Sequence, residues 1–347
     1  MKSFLVATVL TLIGSCATTK YSTKISHLKK NITLKDSALV LKYANTITSQ
    51  ELEELLYEYT NKEFQGRKTG EIGQKKAAHY LKDYYSNHNI TSPLKSNTYF
   101  QSIPEGFLPE GIKSSENVLA FIKGCEKPNE VLIISAHYDH LGLEDGNIYY
   151  GADDDGSGTV AILEIAEAFK EAQNNGFPPK RSILFIHFTA EEIGLHGSRF
   201  YTEESPIFPL NKTFANLNID MIGRQDYAYQ NTNKDYIYLI GSDRLSKELH
   251  YISEKVNTTH FNLELDYKYN LESDPNKYYY RSDHYNFAKN NIPVIFYFNG
   301  VHDDYHKPTD TPDKINYSLL EKRTKLIFAT AWQLANQDKQ LTMNVDL

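Results

Sequence analysis

The sequence predicts an α/β fold with a mixed, centrally parallel sheet flanked by helices. Two patterns carry this. Short apolar runs recur at Val131–Ile134, Ile183–Ile186, Phe214–Ile219 and Val294–Phe298, as strands buried on both faces require. Between them lie stripes at helical period: Ile162, Ile165, Ala166 and Phe169, then Leu245, Leu249, Ile252 and Val256. Strands alternating with helices favour a parallel arrangement at the centre of a sheet. The chain is 40% hydrophobic and 23% charged, enough apolar surface to bury a core and avoid disorder.

From the N-terminus, Met1-Lys2 gives a short positive start, and Phe4–Gly14 is apolar but too short to span a bilayer comfortably. That is the pattern of a secretory signal. It ends in Ile13-Gly14-Ser15-Cys16, which resembles the lipobox of bacterial lipoproteins. The expectation is a signal peptide over 1–15 and a lipid on Cys16. With Ala17 in place of an aspartate after it, the chain would be anchored in the bacterial cell envelope at the outer membrane, on its periplasmic or surface face. Residues 16–47 are polar and read as a tether that docks partly on the body. Thr48 and Glu51 have capping-box spacing, and Leu52, Leu55, Leu56 and Tyr59 make a helical stripe. A second helix follows Gly70 and Gly73, with Ala77, Tyr80, Leu81 and Tyr84 on one face. Pro93, Pro104 and Pro109 leave 86–116 irregular. The alternating core runs over 117–347 and closes with an apolar helix through Leu319, Leu326, Ile327, Trp332 and Leu334. No Pro/Gly-rich linker divides 48–347, so 48–116 and 117–347 read as one domain.

A net charge of −7 without a long basic run argues against a nucleic-acid partner. Two cysteines support neither a disulfide framework nor a four-thiolate zinc site. Cys125 reads as a buried small hydrophobe. Nothing resembles a dimerisation module, so a monomer is expected.

The chemistry sits after the strands. Val131–Ile134 leads to His137-Tyr138-Asp139-His140, Ile183–Ile186 to Glu191-Glu192, and Phe214–Ile219 to Asp220. Val294–Phe298 leads to Tyr305-His306, and Gly151-Ala152-Asp153-Asp154-Asp155 precedes a helix. Ligands of open α/β sheets bind at the carboxyl ends of strands. Each of these groups alone has a structural explanation, since Asp caps helices. Their convergence does not, because clustered carboxylates out of water cost several kcal/mol per ion. A divalent cation offsets that cost, and mixed His and carboxylate ligation fits zinc, with cobalt or manganese able to use the same ligands.

The ordered set His137-Tyr138-Asp139, Gly151-Ala152-Asp153-Asp154, Glu191-Glu192, Asp220 and Tyr305-His306 resembles metallopeptidase family twenty-eight. These are the co-catalytic di-zinc exopeptidases, which include bacterial leucyl aminopeptidase and aminopeptidase Y. Arg281-Ser282-Asp283-His284 is also similar to family sequence. The resemblance implies a zinc-exopeptidase domain with two Zn2+ per chain. His137 and Asp220 would bind one ion, Glu192 and His306 the other, and Asp154 would bridge them, with a cis peptide between Asp154 and Asp155. Glu191 would be the general base for a metal-bridged hydroxide. The Asp139 carboxylate would take the second ring N–H of His137. Tyr280 or Tyr305 would add donors to the oxyanion. Asp283 would either receive a substrate amine or amide or cap the helix at Tyr285. His140, His187, His196, His284 and His302 are read as structural. The expected activity is an aminopeptidase acting on peptides. Glutaminyl cyclase, carboxypeptidase and a receptor-like binding protein of the same fold are the alternatives, and the intact second metal site argues against the cyclase.

Overall fold

The computed structural model describes residues 20–347. Helix α1 covers 20–31 and is followed by α2 (Ser37–Ala44), α3 (Ser49–Tyr59) and α4 (Ile72–Asn87). Thr48 caps α3 as its spacing predicts, its hydroxyl oxygen accepting from the Glu51 N–H at 3.2 Å. The strands are β1 (Phe100–Ile103), β2 (Ser115–Ile122), β3 (Lys127–His137), β4 (Gly142–Glu144), β5 (Asn147–Tyr149), β6 (Arg181–Phe188), β7 (Thr213–Ile219), β8 (Tyr236–Ile240), β9 (Glu264–Asp266) and β10 (Val294–Phe298). Among them run α5 (Gly158–Asn174), α6 (His196–Arg199), α7 (Lys247–His260) and α8 (His284–Ala288), and α9 (Tyr317–Asn336) follows.

The main sheet has the order β1-β2-β6-β3-β7-β10-β8-β9, and β4 with β5 forms a separate hairpin. β6, β3, β7 and β10 are mutually parallel. β2 and β8 flank them antiparallel. The sheet is therefore mixed and parallel at its centre. Alternate side chains of β3 face opposite layers. Leu132 and Ile134 join the large core under α5 and α9, while Val131 and Ile133 join a smaller one with Phe188 and Phe287. This is why the run is apolar at every position.

Six strands lie outside the four predicted runs: β1, β2, β4, β5, β8 and β9. β1 lies inside the proline-broken segment 86–116, and β8 follows the polar stretch 230–235. The packed body also begins before Thr48. Ile32, Val40, Tyr43 and Ile47 are buried, and Tyr43 stacks on Trp332 with ring centroids 5.8 Å apart. Cys125, expected inside, is exposed, because it sits in the turn between β2 and β3. Cys16 and the signal segment lie outside the described residues. Among the described residues, no helix is long and apolar enough to cross a membrane.

Candidate metal centre

The four parallel strands end at one edge of the sheet, and each delivers a polar group there. β3 ends in His137, β6 leads to Glu191 and Glu192, β7 to Asp220, and β10 to the loop carrying His306. The loop before α5 supplies the fifth. It opens at Gly151, whose φ of +54 and close approach to the Asp154 carbonyl (a Cβ would lie 2.3 Å away) exclude a side chain. The Asp154–Asp155 peptide is cis, as the family resemblance implies. The neighbours of Asp154 are engaged elsewhere. Asp153 Oδ1 accepts from the Gly223 N–H (2.7 Å) and Asp155 Oδ1 from the Gly158 and Met221 N–H groups (2.9 and 3.0 Å). Asp310 Oδ2 holds the segment by accepting from the N–H groups of Asp153 and Asp154.

The carboxylate of Asp154 divides its two oxygens between two clusters. Oδ1 lies 3.1 Å from His137 Nε2, which is 3.7 Å from Asp220 Oδ1. Oδ2 lies 3.1 Å from His306 Nε2, which is also 3.1 Å from Glu192 Oε2. Ligand-capable atoms of His137, Asp154 and Asp220 lie within 4.8 Å of one another, as do those of His140, Asp154 and Glu192. His140 is the residue that sequence reasoning set aside. It is buried, and its Nδ1 meets Glu192 Oε1 at 2.6 Å. Two imidazoles therefore flank Glu192. His306 touches both Asp154 and Glu192 and borders solvent, while His140 is fully buried against the other oxygen of Glu192. Its place three residues after His137 was the available signal.

The donors fit a cation. His306 Nε2 and Asp154 Oδ2 are buried and 3.1 Å apart, yet neither makes a hydrogen bond of good geometry, so both atoms turn toward a shared point. The His137 Nδ1 meets the Asp139 carbonyl at 3.1 Å. A carbonyl only accepts, so Nδ1 carries a proton and Nε2 faces the carboxylates as a ligand would. Strain gathers in the same place. Ala190, Met221 and His306 have φ near +58, +58 and +56, in the left-handed region that costs non-glycine residues about 1–3 kcal/mol each and concentrates at functional sites.

Electrostatics separate the adjacent glutamates. Burial, joined by Asp220, Glu192 and Asp283, pushes the Glu191 carboxyl well up, against the opposing pull of His137. Burial and Asp154 act against the Glu192 carboxylate too, but His140 and His306 hold it below the usual range. For His306, burial disfavours the charged ring, yet Asp154 and Glu192 hold it up at about 10. A proton then occupies Nε2 at neutral pH, and a metal ion must displace it. Zinc binding at pH 7 is expected to release protons, and affinity to rise with pH until about 10. Calorimetry in buffers of different ionisation enthalpy reads that number; no proton release would contradict this arrangement.

Several sequence expectations change. The sequence places the Asp139 carboxylate on the His137 ring. In the structure the main-chain carbonyl takes that place, and the carboxylate is 3.8 Å away. The carboxylate is drawn instead to the Thr69 hydroxyl (2.8 Å) and the Glu191 N–H (3.1 Å). Asp139 thus positions the main chain of Glu191. Tyr280 is 47% exposed and stands outside the cavity wall, where Tyr278 takes its place. Tyr305 does line the cavity and stacks on His306. Asp283 makes no capping hydrogen bond to α8. It is fully buried with both oxygens unpaired, and burial holds its carboxyl up at about 7 while His137 and Ser198 pull it down. It is absent from the cavity wall. His302 pairs with Asp153 at 3.2 Å, and His187 with the Tyr85 hydroxyl at 2.7 Å.

A cavity of about 40 Å3 opens onto His137, Asp154, Glu191, Glu192 and Asp220, walled by Met221, Tyr278, Arg281, Phe296, Phe298, Val301 and Tyr305. A larger cavity of about 480 Å3 between α7 and the residues around Ile32 has one carboxylate, Glu254, and no such cluster.

Comparison with known proteins places this arrangement. Leucine aminopeptidase 2 of Arthroderma otae is 28% identical over 241 residues, covering 63% of this chain and 45% of that protein. Aminopeptidase YwaD of Bacillus subtilis is 26% identical over 239 residues, covering 66% and 46%. The chain spans about half the length of the curated relatives it matches. LapB from Legionella pneumophila superposes with a TM-score of 0.69 at 22% identity, covering 88% of this chain and 77% of that one. Glutaminyl cyclase from Porphyromonas gingivalis superposes at 0.66 and 16% identity, covering 82% and 98%. At such identities these structures share the fold alone. The match to Peptidase family M28 runs over residues 117–331 and takes in every side chain of the two clusters. The chain belongs to that family.

Proposed function

We propose that the chain is a di-zinc exopeptidase that removes N-terminal residues from peptides. The observation that carries this reading is the division of the Asp154 oxygens between the His137 and His306 clusters, the arrangement a bridging ligand needs. His137 and Asp220 would hold one zinc ion and Glu192 and His306 the other. When bound, the metal supplies Lewis acidity to the peptide carbonyl and acidifies a water. Glu191, beside the clusters and bound to neither, takes the proton of the attacking water and returns it to the departing amine. Burial and the neighbouring carboxylates raise its carboxyl, and a cation at the centre would offset the like-charge part of that shift. Tyr305 stands where a hydroxyl could donate to the developing oxyanion. Asp283, absent from the cavity wall, would act on the site through its neighbours.

The aminopeptidase names of the relatives support the substrate class, and the glutaminyl cyclase among the structural neighbours defines the contrast. Incubating zinc-loaded protein with free, N-acetylated and N-terminal glutamine peptides, with products read by mass spectrometry, separates these readings. Stepwise loss from free N-termini is expected. Loss of ammonia from glutamine peptides alone, or trimming of acetylated peptides from the other end, would contradict it. We also propose that Cys16 carries a lipid and holds the enzyme on the bacterial cell envelope. The order of Lys2, Phe4–Gly14 and Gly14-Ser15-Cys16 supports it, and an unmodified Cys16 in the mature protein would refute it.

A further inference from the structure

The family match begins at residue 117, yet side chains from before that point reach the metal centre. Arg67, in the turn between α3 and α4, is 1% exposed. Among the described residues no carboxylate lies within ion-pair distance of its guanidinium. The fork meets three main-chain carbonyls instead: Nε donates to Tyr138 (3.0 Å), Nη1 to Tyr150 (2.8 Å) and Nη2 to Gly151 (2.9 Å). Tyr138 follows His137, and Gly151 opens the loop that carries Asp154. In return, the His140 N–H donates to the Arg67 carbonyl at 3.2 Å. The Tyr59 hydroxyl adds a second donor to the Tyr138 carbonyl at 2.9 Å, and its ring lies 4.7 Å from the guanidinium. The turn is held tightly against the hairpin of β4 and β5. Gly66 has φ +67, and a Cβ there would lie 2.4 Å from the carbonyl oxygens of Gly142 and Tyr149.

One planar group thus spans the two loops that supply His137 and Asp154. A lysine cannot reproduce this, since it offers a point charge on a flexible stem where the guanidinium offers a rigid fork. The choice of carbonyl partners matters as well. With main-chain carbonyls as partners, the fork fixes backbone and leaves the metal-facing carboxylates free.

We propose that Arg67 is a positioning residue that sets the spacing between His137 and Asp154 and thereby the affinity of the centre for zinc. This rests on the reading of the two clusters as a zinc site. Groups that orient metal ligands from behind typically govern affinity by about 10–100-fold.

The test compares zinc affinity of the native protein, Arg67→Lys and Arg67→Met by competition with a chromophoric chelator. It is run at a temperature where circular dichroism shows each metal-free protein folded, with the metal-free Tm measured alongside. Both variants are expected to bind zinc at least about tenfold more weakly. Tyr59→Phe, which removes one donor from the same carbonyl, is expected to weaken binding about two- to fivefold. A lowered metal-free Tm with zinc affinity within twofold of native would assign Arg67 to fold stability alone and overturn the proposal. If neither Arg67 variant folds, Tyr59→Phe decides, and native affinity there overturns it. A native protein that binds no zinc would remove the underlying reading of the centre, an outcome distinct from unchanged variants of a zinc-binding protein.

Discussion

Glu191→Gln is expected to keep its zinc and lose about 10²–10⁴-fold in kcat. The substitution preserves size and removes the ability to accept a proton. Glu191 lines the cavity, and its main chain is fixed by Asp139, so the amide should sit where the carboxylate did. Glu192, one residue on, faces His140 and His306, and Glu192→Ala is expected to lose metal. On the proposed mechanism, two adjacent carboxylates would separate into a proton carrier and a ligand by environment alone. Elemental analysis and steady-state kinetics on both variants check this, and turnover near native in Glu191→Gln would exclude it as the base.

The second large effect is expected at Asp154. Every other ligand belongs to one cluster, and Asp154 belongs to both. Asp154→Ala should weaken binding of both ions together, by about 10²-fold or more, because it removes an anionic ligand from each. Ligand-linked stability gives an independent reading. Native protein at 100 times its zinc Kd gains about 2.7 kcal/mol over the chelated form, and the variant should gain far less at the same zinc concentration. One tightly held zinc ion per chain in Asp154→Ala would contradict the bridging assignment.

The convergence of these side chains was legible because topology does the sorting. The four strands β3, β6, β7 and β10 are parallel and central, so their carboxyl ends coincide and the polar residues that follow them meet in one place. His137, Glu192, Asp220 and His306 all follow that rule. What sequence order does not carry is the partner of each side chain. The Asp139 carboxylate finds Thr69 and the Glu191 N–H across the fold, and the Asp139 carbonyl takes the ring that the family resemblance assigns to the carboxylate. His140 looks like one more surface histidine until Glu192 is brought against it by the β6 loop. Tyr278 and Tyr280 are indistinguishable as letters, and only the turn before α8 puts one in the wall and the other in solvent. β1 was hidden because it is a short strand with polar Gln101 and Ser102, whereas β8, Tyr236–Ile240, carries as continuous an apolar run as β10 and was legible but not read. The polar composition of 16–47 likewise masked the face of α2 that carries Val40 and Tyr43 into the core.

The central claim is a pair of ions held by one shared carboxylate. Anomalous scattering at the zinc edge from crystals of the zinc-loaded protein tests it most directly. Two peaks about 3.5–4 Å apart, one beside His137 and Asp220, the other beside Glu192 and His306, with Asp154 between them, is the result expected. A single peak, or two that do not share Asp154, would contradict the account.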